Sequence, residues 1–106
     1  MNEVRLFGML GFAMRAGKLV IGTEQVLRTI AKARHGIKLI LVSEQASEAT
    51  KKKIKSKSEF YSVQSVSAEI TQESLGDAIG KTYAPACVGV ADEGFAKAIL
   101  EAIKIQ

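Results

Sequence analysis

The chain comprises 106 residues, 47% apolar and 25% charged, with nine Gly and one Pro, which is one domain's worth of sequence and excludes the disordered, collagen-like and low-complexity classes. Fifteen Lys and Arg against eleven Asp and Glu leave a net charge of +4, so an anionic partner is worth seeking. A single cysteine, Cys87, and a single histidine, His35, exclude an internal disulfide and the Cys/His clusters of a structural zinc site, so packing must hold the fold.

The spacing of Val4, Phe7, Leu10 and Met14, widened by Leu6, Met9 and Ala13, predicts a well-buried helix over 4–16 that ends at Gly17. The run 19–21 is short and β-branched, and reads as a brief strand leading into Gly22. From 23 to 34 the helical wheel separates Val26, Leu27, Ile30 and Ala31 from Glu24, Gln25, Arg28, Thr29 and Lys32, predicting a second, amphipathic helix closed by His35 and Gly36. Residues 37–42 are almost uniformly apolar between Gly36 and Ser43, as expected of a central strand covered on both faces. A third helix over 47–58 takes Ser47 as its N-cap and Ile54 as its one strong apolar anchor, so it lies largely in water. Residues 62–66 alternate as a half-exposed strand, 71–79 read as a short capped helix stopped by Gly80, and 86–91 form the last strand. Asp92 caps a C-terminal helix with the stripe Phe95, Ala96, Ile99, Leu100 and Ile103. Such alternation with short connections predicts an α/β fold, a three-layer α-β-α sandwich, as a single domain over 1–106.

The longest apolar stretch, 6–14, is far short of the roughly 20 residues of a membrane-spanning helix, and Arg15 and Lys18 follow it without a small-residue cleavage site. Neither a membrane span nor secretion is expected, and a reducing cytoplasm is the natural setting. Charge is unevenly placed. Residues 1–57 hold twelve Lys and Arg against four Asp and Glu, whereas 58–106 hold three against seven, so the first half should supply an anion-binding face.

No phosphate loop, dinucleotide fingerprint, His-containing metal pair or nucleophile elbow is present, so an enzyme is not expected, nor a metal or cofactor. Cys87, among Ala86, Val88 and Val90, reads as a small buried hydrophobe, and His35 as a residue serving a helix C-terminus. The informative segment is Gly22-Thr23-Glu24-Gln25-Val26-Leu27-Arg28. Gly22 lets a partner's backbone approach, Thr23 and the first-turn amides can meet phosphate oxygens, and Gln25 and Arg28 offer an amide and a fork able to read base edges. The same residues suit plain helix capping, with Glu24 complementing the dipole and pairing with Arg28 at i,i+4. The residues alone leave these two readings open.

At this segment, and through 10–19, Ser43-Glu44-Gln45-Ala46-Ser47 before Thr50-Lys51-Lys52-Lys53, 75–81 and Asp92-Glu93-Gly94-Phe95-Ala96, the sequence resembles the ribosomal protein L7Ae/L30e superfamily of kink-turn RNA binders, in particular its small bacterial YlxQ-type branch. The resemblance covers nearly the whole chain. It implies the α-β-α sandwich around a mixed four-stranded sheet, and binding of a sharply bent RNA internal loop built on sheared G·A pairs. The implied partners are structured RNA, ribosomal RNA among the candidates, and the ribosome, with a monomeric protein away from membranes.

The family's Gly-[Ala/Thr]-Asn-Glu-x-x-Lys stretch falls on Gly22, Thr23, Glu24, Gln25 and Arg28. Gln25 replaces an acidic reader, Arg28 keeps the charge with another donor geometry, and Glu24 sets a carboxylate where the family has an amide. The family's second contact element falls on Gly80-Lys81-Thr82-Tyr83-Ala84-Pro85-Ala86. There Lys81 can neutralise phosphate, Tyr83 can stack on an unpaired base and Pro85 stiffens the loop, or the segment is an ordinary connector. Arg15, Lys18 and Lys32 extend the expected surface. Lys51, Lys52, Lys53, Lys55 and Lys57 spread around their helix as a solvated face, with contact to flanking RNA as a secondary role. The alternative is a protein-interaction module of the translation or transcription machinery that uses the fold without specific RNA readout.

Overall fold

The computed structural model describes residues 1–32 and 36–104. Ala33, Arg34 and His35, where the second helix was expected to close, and residues 105–106 lie outside the described residues. Within them, helices and strands alternate as α1 (Glu3–Arg15), β1 (Leu19–Ile21), α2 (Thr23–Ile30), β2 (Leu39–Ser43), α3 (Glu48–Phe60), β3 (Gln64–Ala68), α4 (Gln72–Ala78), β4 (Cys87–Val90) and α5 (Glu93–Lys104). The sheet order is β1-β4-β2-β3. Strand β4 is antiparallel to both neighbours, and β2 pairs in parallel with β3, as the helical crossover α3 between them requires.

All five positions of β2 are buried, so its alternating side chains build two cores. Leu39 and Leu41, with Val88 and Val90, meet Leu6, Leu10, Leu75 and Ile99 from α1, α4 and α5. Ile40, Val42 and Cys87 meet Val26, Ile30 and Ile54 from α2 and α3. This is the expected three-layer α-β-α sandwich, with α1, α4 and α5 on one face and α2 and α3 on the other. Gly89 makes room for the second core: a Cβ there would lie 2.7 Å from Ile37 Cδ1.

Side-chain caps define the helix starts at Asn2, Ser47 and Thr71, and Asp92 Oδ2 accepts from the Phe95 N–H at 2.8 Å. Some expectations shift. The buried line of α1 is Leu6, Leu10 and Ala13, with Phe7, Met9 and Met14 packed beside it, while Val4, two residues or about 200° of helix from Leu6, is 86% exposed. Helix α2 stops at Ile30, short of the expected 34, and its C-cap Ala31 is exposed rather than packed. Strand β3 begins two residues later than its alternation suggests, because Ser62 adopts a left-handed φ of 57° and the Val63 N–H returns to the Ser58 carbonyl at 2.8 Å, closing α3. Among the described residues, no helix is long and apolar enough to cross a membrane.

Candidate nucleic-acid interface

Gly22 turns the chain from β1 into α2 at φ 91° and ψ 152°, a region almost reserved to glycine. Its N–H donates to the Cys87 carbonyl at 3.0 Å and its carbonyl accepts from the Val26 N–H at 2.9 Å. Among the described residues no side chain caps α2, so its first-turn N–H groups carry the positive end of the helix dipole without a side-chain acceptor from them. Thr23 does not serve that purpose. Its Oγ1 is half-buried and lies 3.7 Å from Cys87 Sγ. Burial pushes the Cys87 thiol above its ordinary value, against a lowering contact from Thr23, so this sulfur is a neutral floor beneath the helix and not a nucleophile.

Glu24, Gln25 and Arg28 are all exposed. Arg28 Nη2 donates to Glu24 Oε1 at 2.8 Å, with side chains 57% and 82% exposed. A solvent-exposed i,i+4 pair is worth about 0.3–0.5 kcal/mol, so a phosphate or a base edge can draw the guanidinium away at little cost. Capping-type pairing and ligand recognition are therefore compatible at these residues.

The segment after α4 ends against this helix start. Gly80, at φ 74°, closes α4, with the Lys81 N–H donating to the Gly76 carbonyl at 2.9 Å. The chain then doubles back along α4, where a Cβ at Gly76 would run into the Tyr83 carbonyl. Gln72 Nε2 donates to the Ala84 carbonyl at 2.9 Å, and the Gln72 N–H donates to Gln45 Oε1 at 2.9 Å. Pro85 is buried, Thr82 and Ala84 are exposed, and Tyr83 is 54% exposed. Two residues later Cys87 meets Gly22 and Thr23. The loop is thus a braced rim presenting an aromatic ring.

The other candidates do not all converge on this rim. Lys81 is half-buried at the α4 end of the loop. Arg15 stacks over Phe12 at 4.8 Å and reaches the point where Gly11 meets the Ala78 carbonyl, behind α4. The Lys18 carbonyl accepts from the Ala91 N–H, beyond the far end of β4, whereas Gly22 pairs with Cys87 at the near end. Lys18 is therefore separated from Gly22 by the length of β1, roughly 13 Å at strand rise. Lys32 is exposed one turn beyond Arg28, past the described end of α2.

Sequence reasoning did not single out Gln45, Gln72 or Gly76 as the braces of the loop. Gly76 leaves a trace, since a glycine inside a helix costs about 1 kcal/mol against alanine, but Gly8 in α1 carries the same trace and a Cβ there would meet nothing within 4 Å, so the residue type alone does not separate them. The two glutamines look like any exposed amide. Among the described residues, no group of three His, Cys, Asp or Glu side chains could hold a metal ion.

A layered α-β-α domain with a glycine-initiated helix beside a braced loop defines a class, and the sequence agrees: the pattern of the Ribosomal protein L7Ae/L30e/S12e/Gadd45 family matches residues 5–100, and the chain belongs to that family. Its relatives include the RNA-binding protein YlxQ of Enterococcus faecium, 41% identical over 97% of this chain and 95% of that protein. They also include the RNA-binding protein YlxQ of Bacillus subtilis (strain 168), 39% identical over 94% and 96%. Among solved structures, a protein of unknown function from Bacillus halodurans C superposes with a TM-score of 0.85 at 32% identity, covering 95% of this chain and 98% of that one. A Giardia lamblia 15.5kD RNA binding protein shares the fold, with a TM-score of 0.76 at 11% identity over 96% and 84%.

Proposed function

We propose that this chain is a non-enzymatic RNA-binding protein, ribosomal or ribosome-associated, that recognises kink-turn-like structured RNA. The observation that carries this reading is the start of α2 at Gly22, which has no side-chain cap, exposes Gln25 and Arg28, and is joined through Cys87 to the strand that follows the exposed Thr82–Ala84 segment. Gly22 has no side chain to hold a backbone away, and the free first-turn amides suit phosphate oxygens. Gln25 offers both a donor and an acceptor to a base edge, and Arg28 a planar fork once it leaves Glu24. Bases splayed from a bent internal loop can stack on Tyr83, worth about 1–3 kcal/mol per base. Relatives about 40% identical that bear the name RNA-binding protein support the same partner class.

The test is fluorescence anisotropy with a kink-turn hairpin and a plain duplex of the same length. We expect the hairpin to bind at least tenfold more tightly, and Gln25→Ala with Arg28→Ala to lose roughly 10- to 100-fold on the hairpin alone, as one or two lost base contacts predict. Equal affinity for both RNAs, or an unaffected double variant, would sink the reading.

A further inference from the structure

The side-chain charges at the start of α2 nearly balance, since Glu24 and Arg28 pair and the neighbouring loop adds only Lys81. A polyanion needs attraction from somewhere else, and the fold stores it next door. Helices α2 and α3 share one face of the sheet and carry six Lys and Arg against three Glu. Helices α1, α4 and α5, on the other face, carry four against five acidic residues. Five of the six cations belong to α3.

These lysines are not all equivalent. Ile54 of α3 points into the core, which at 100° per residue places Lys51 and Lys55 on one flank and Lys53 and Lys57 on the other. Lys51 and Lys55 line a groove between α3 and β3, floored by Val42 and Ile54, with Ser65 and Ser67 on its far wall. Ser65 and Ser67 pair with Ile40 and Val42 in register, so both face α3. The Ser65 hydroxyl lies 3.3 Å from that of Ser58, while Ser67 is exposed. Strand β3 is a sheet edge and carries no charged side chain. The nearby carboxylates are Glu48, 3.7 Å from Lys51 and almost fully exposed, Glu59 and Glu69 at the ends of the segment, and Glu44, which with Glu69 lines an adjoining cleft shared with Ser67.

We infer that this groove takes the phosphodiester backbone of a double-helical RNA arm that continues away from RNA held at α2. The inference rests on the function proposed above and adds a second contact surface to it. Both helices start at the same end of the sheet, because the Gly22 N–H donates to the Cys87 carbonyl and the Ser43 N–H, at the end of β2, to the Ala86 carbonyl. Packed neighbouring helices lie about 8–10 Å apart, so an arm leaving the bent loop crosses α3 within a few phosphates. Two cations spaced one helical turn apart, opposite the exposed Ser67 hydroxyl, suit successive phosphates and carry no base information, while the Ser65 hydroxyl donates to Ser58, whose own proton goes to the Lys55 carbonyl.

The experiment compares two kink-turn hairpins, one with the flanking arm trimmed to a few pairs and one with it extended by about a helical turn. Affinities of the intact chain, of Lys51→Gln with Lys55→Gln, and of Lys53→Gln with Lys57→Gln are measured across salt. The groove pair should lose roughly tenfold on the extended RNA at low salt, with its salt slope reduced by about 2, and less than twofold on the trimmed RNA. The other pair should weaken both RNAs alike, as loss of a diffuse field does. Lys51→Arg with Lys55→Arg should keep the affinity, and thermal melting should match wild type. Equal losses on both RNAs from the groove pair, or no loss on the extended one, would overturn the groove while leaving α2 recognition standing. Failure of the wild-type chain to bind either hairpin would overturn both.

Discussion

Gly22 and Gly76 support the same rim for different physical reasons, and two substitutions separate them. A Cβ at Gly22 meets nothing within 4 Å, so Gly22→Ala suffers only from its φ of 91°. Urea unfolding should show a loss of about 1–3 kcal/mol. Gly76 has ordinary helical backbone, but its Cβ would strike the Tyr83 carbonyl. Gly76→Ala should therefore cost a similar 1–3 kcal/mol by overpacking, and should also shift the loop and weaken hairpin binding through Tyr83. Cys87 makes a third prediction. Its thiol is held above the usual 9.0 by burial, so the native state keeps a proton that the unfolded chain releases. The stability this contributes is fully present below about pH 9 and is lost as pH rises toward the folded-state value. Melting temperatures of wild type should thus fall relative to Cys87→Ala as pH is raised above about 9, and parallel curves would refute it.

Element by element, α3 leans most on its ends. Its core-facing residues are Ile54 and Ser58, and Ser47 accepts the Thr50 N–H at 3.1 Å. Ser47→Ala should lower the unfolding free energy by about 1 kcal/mol, measured by urea titration, as for a lost N-cap. This cap was legible in the sequence, as was that at Asp92, because a short polar side chain before an amphipathic run has few other uses. The start of β3 was not. Ser62 and Val63 fit the strand alternation, but they form a helix C-cap that depends on a left-handed serine, which no period-2 pattern announces. Of the apolar residues expected on the buried side of α1, Val4 alone faces water, for a related reason. Nearly every residue from Val4 to Met14 is apolar, so periodicity alone could not tell that Val4 faces water and Leu6 the core.

At the scale of the whole molecule, the charge asymmetry along the chain becomes an asymmetry across the sheet, with cations concentrated over α2 and α3. The layered architecture followed from element order and the twice-covered β2. The pairing of α2 with the loop after α4 followed from the resemblance, not from spacing, because only the antiparallel meeting of β1 and β4 brings residues 22 and 87 together. Lys18 illustrates the limit: four residues from Gly22 in sequence, it stands at the opposite end of β1, since an extended strand carries its ends apart. The braced loop has a kinetic consequence. Held by Gln72 and seated on Gly76 before any partner arrives, it gives an incoming polynucleotide a preset shape to fit. Encounter then resembles docking between rigid bodies, and the flexing is left to the nucleic acid.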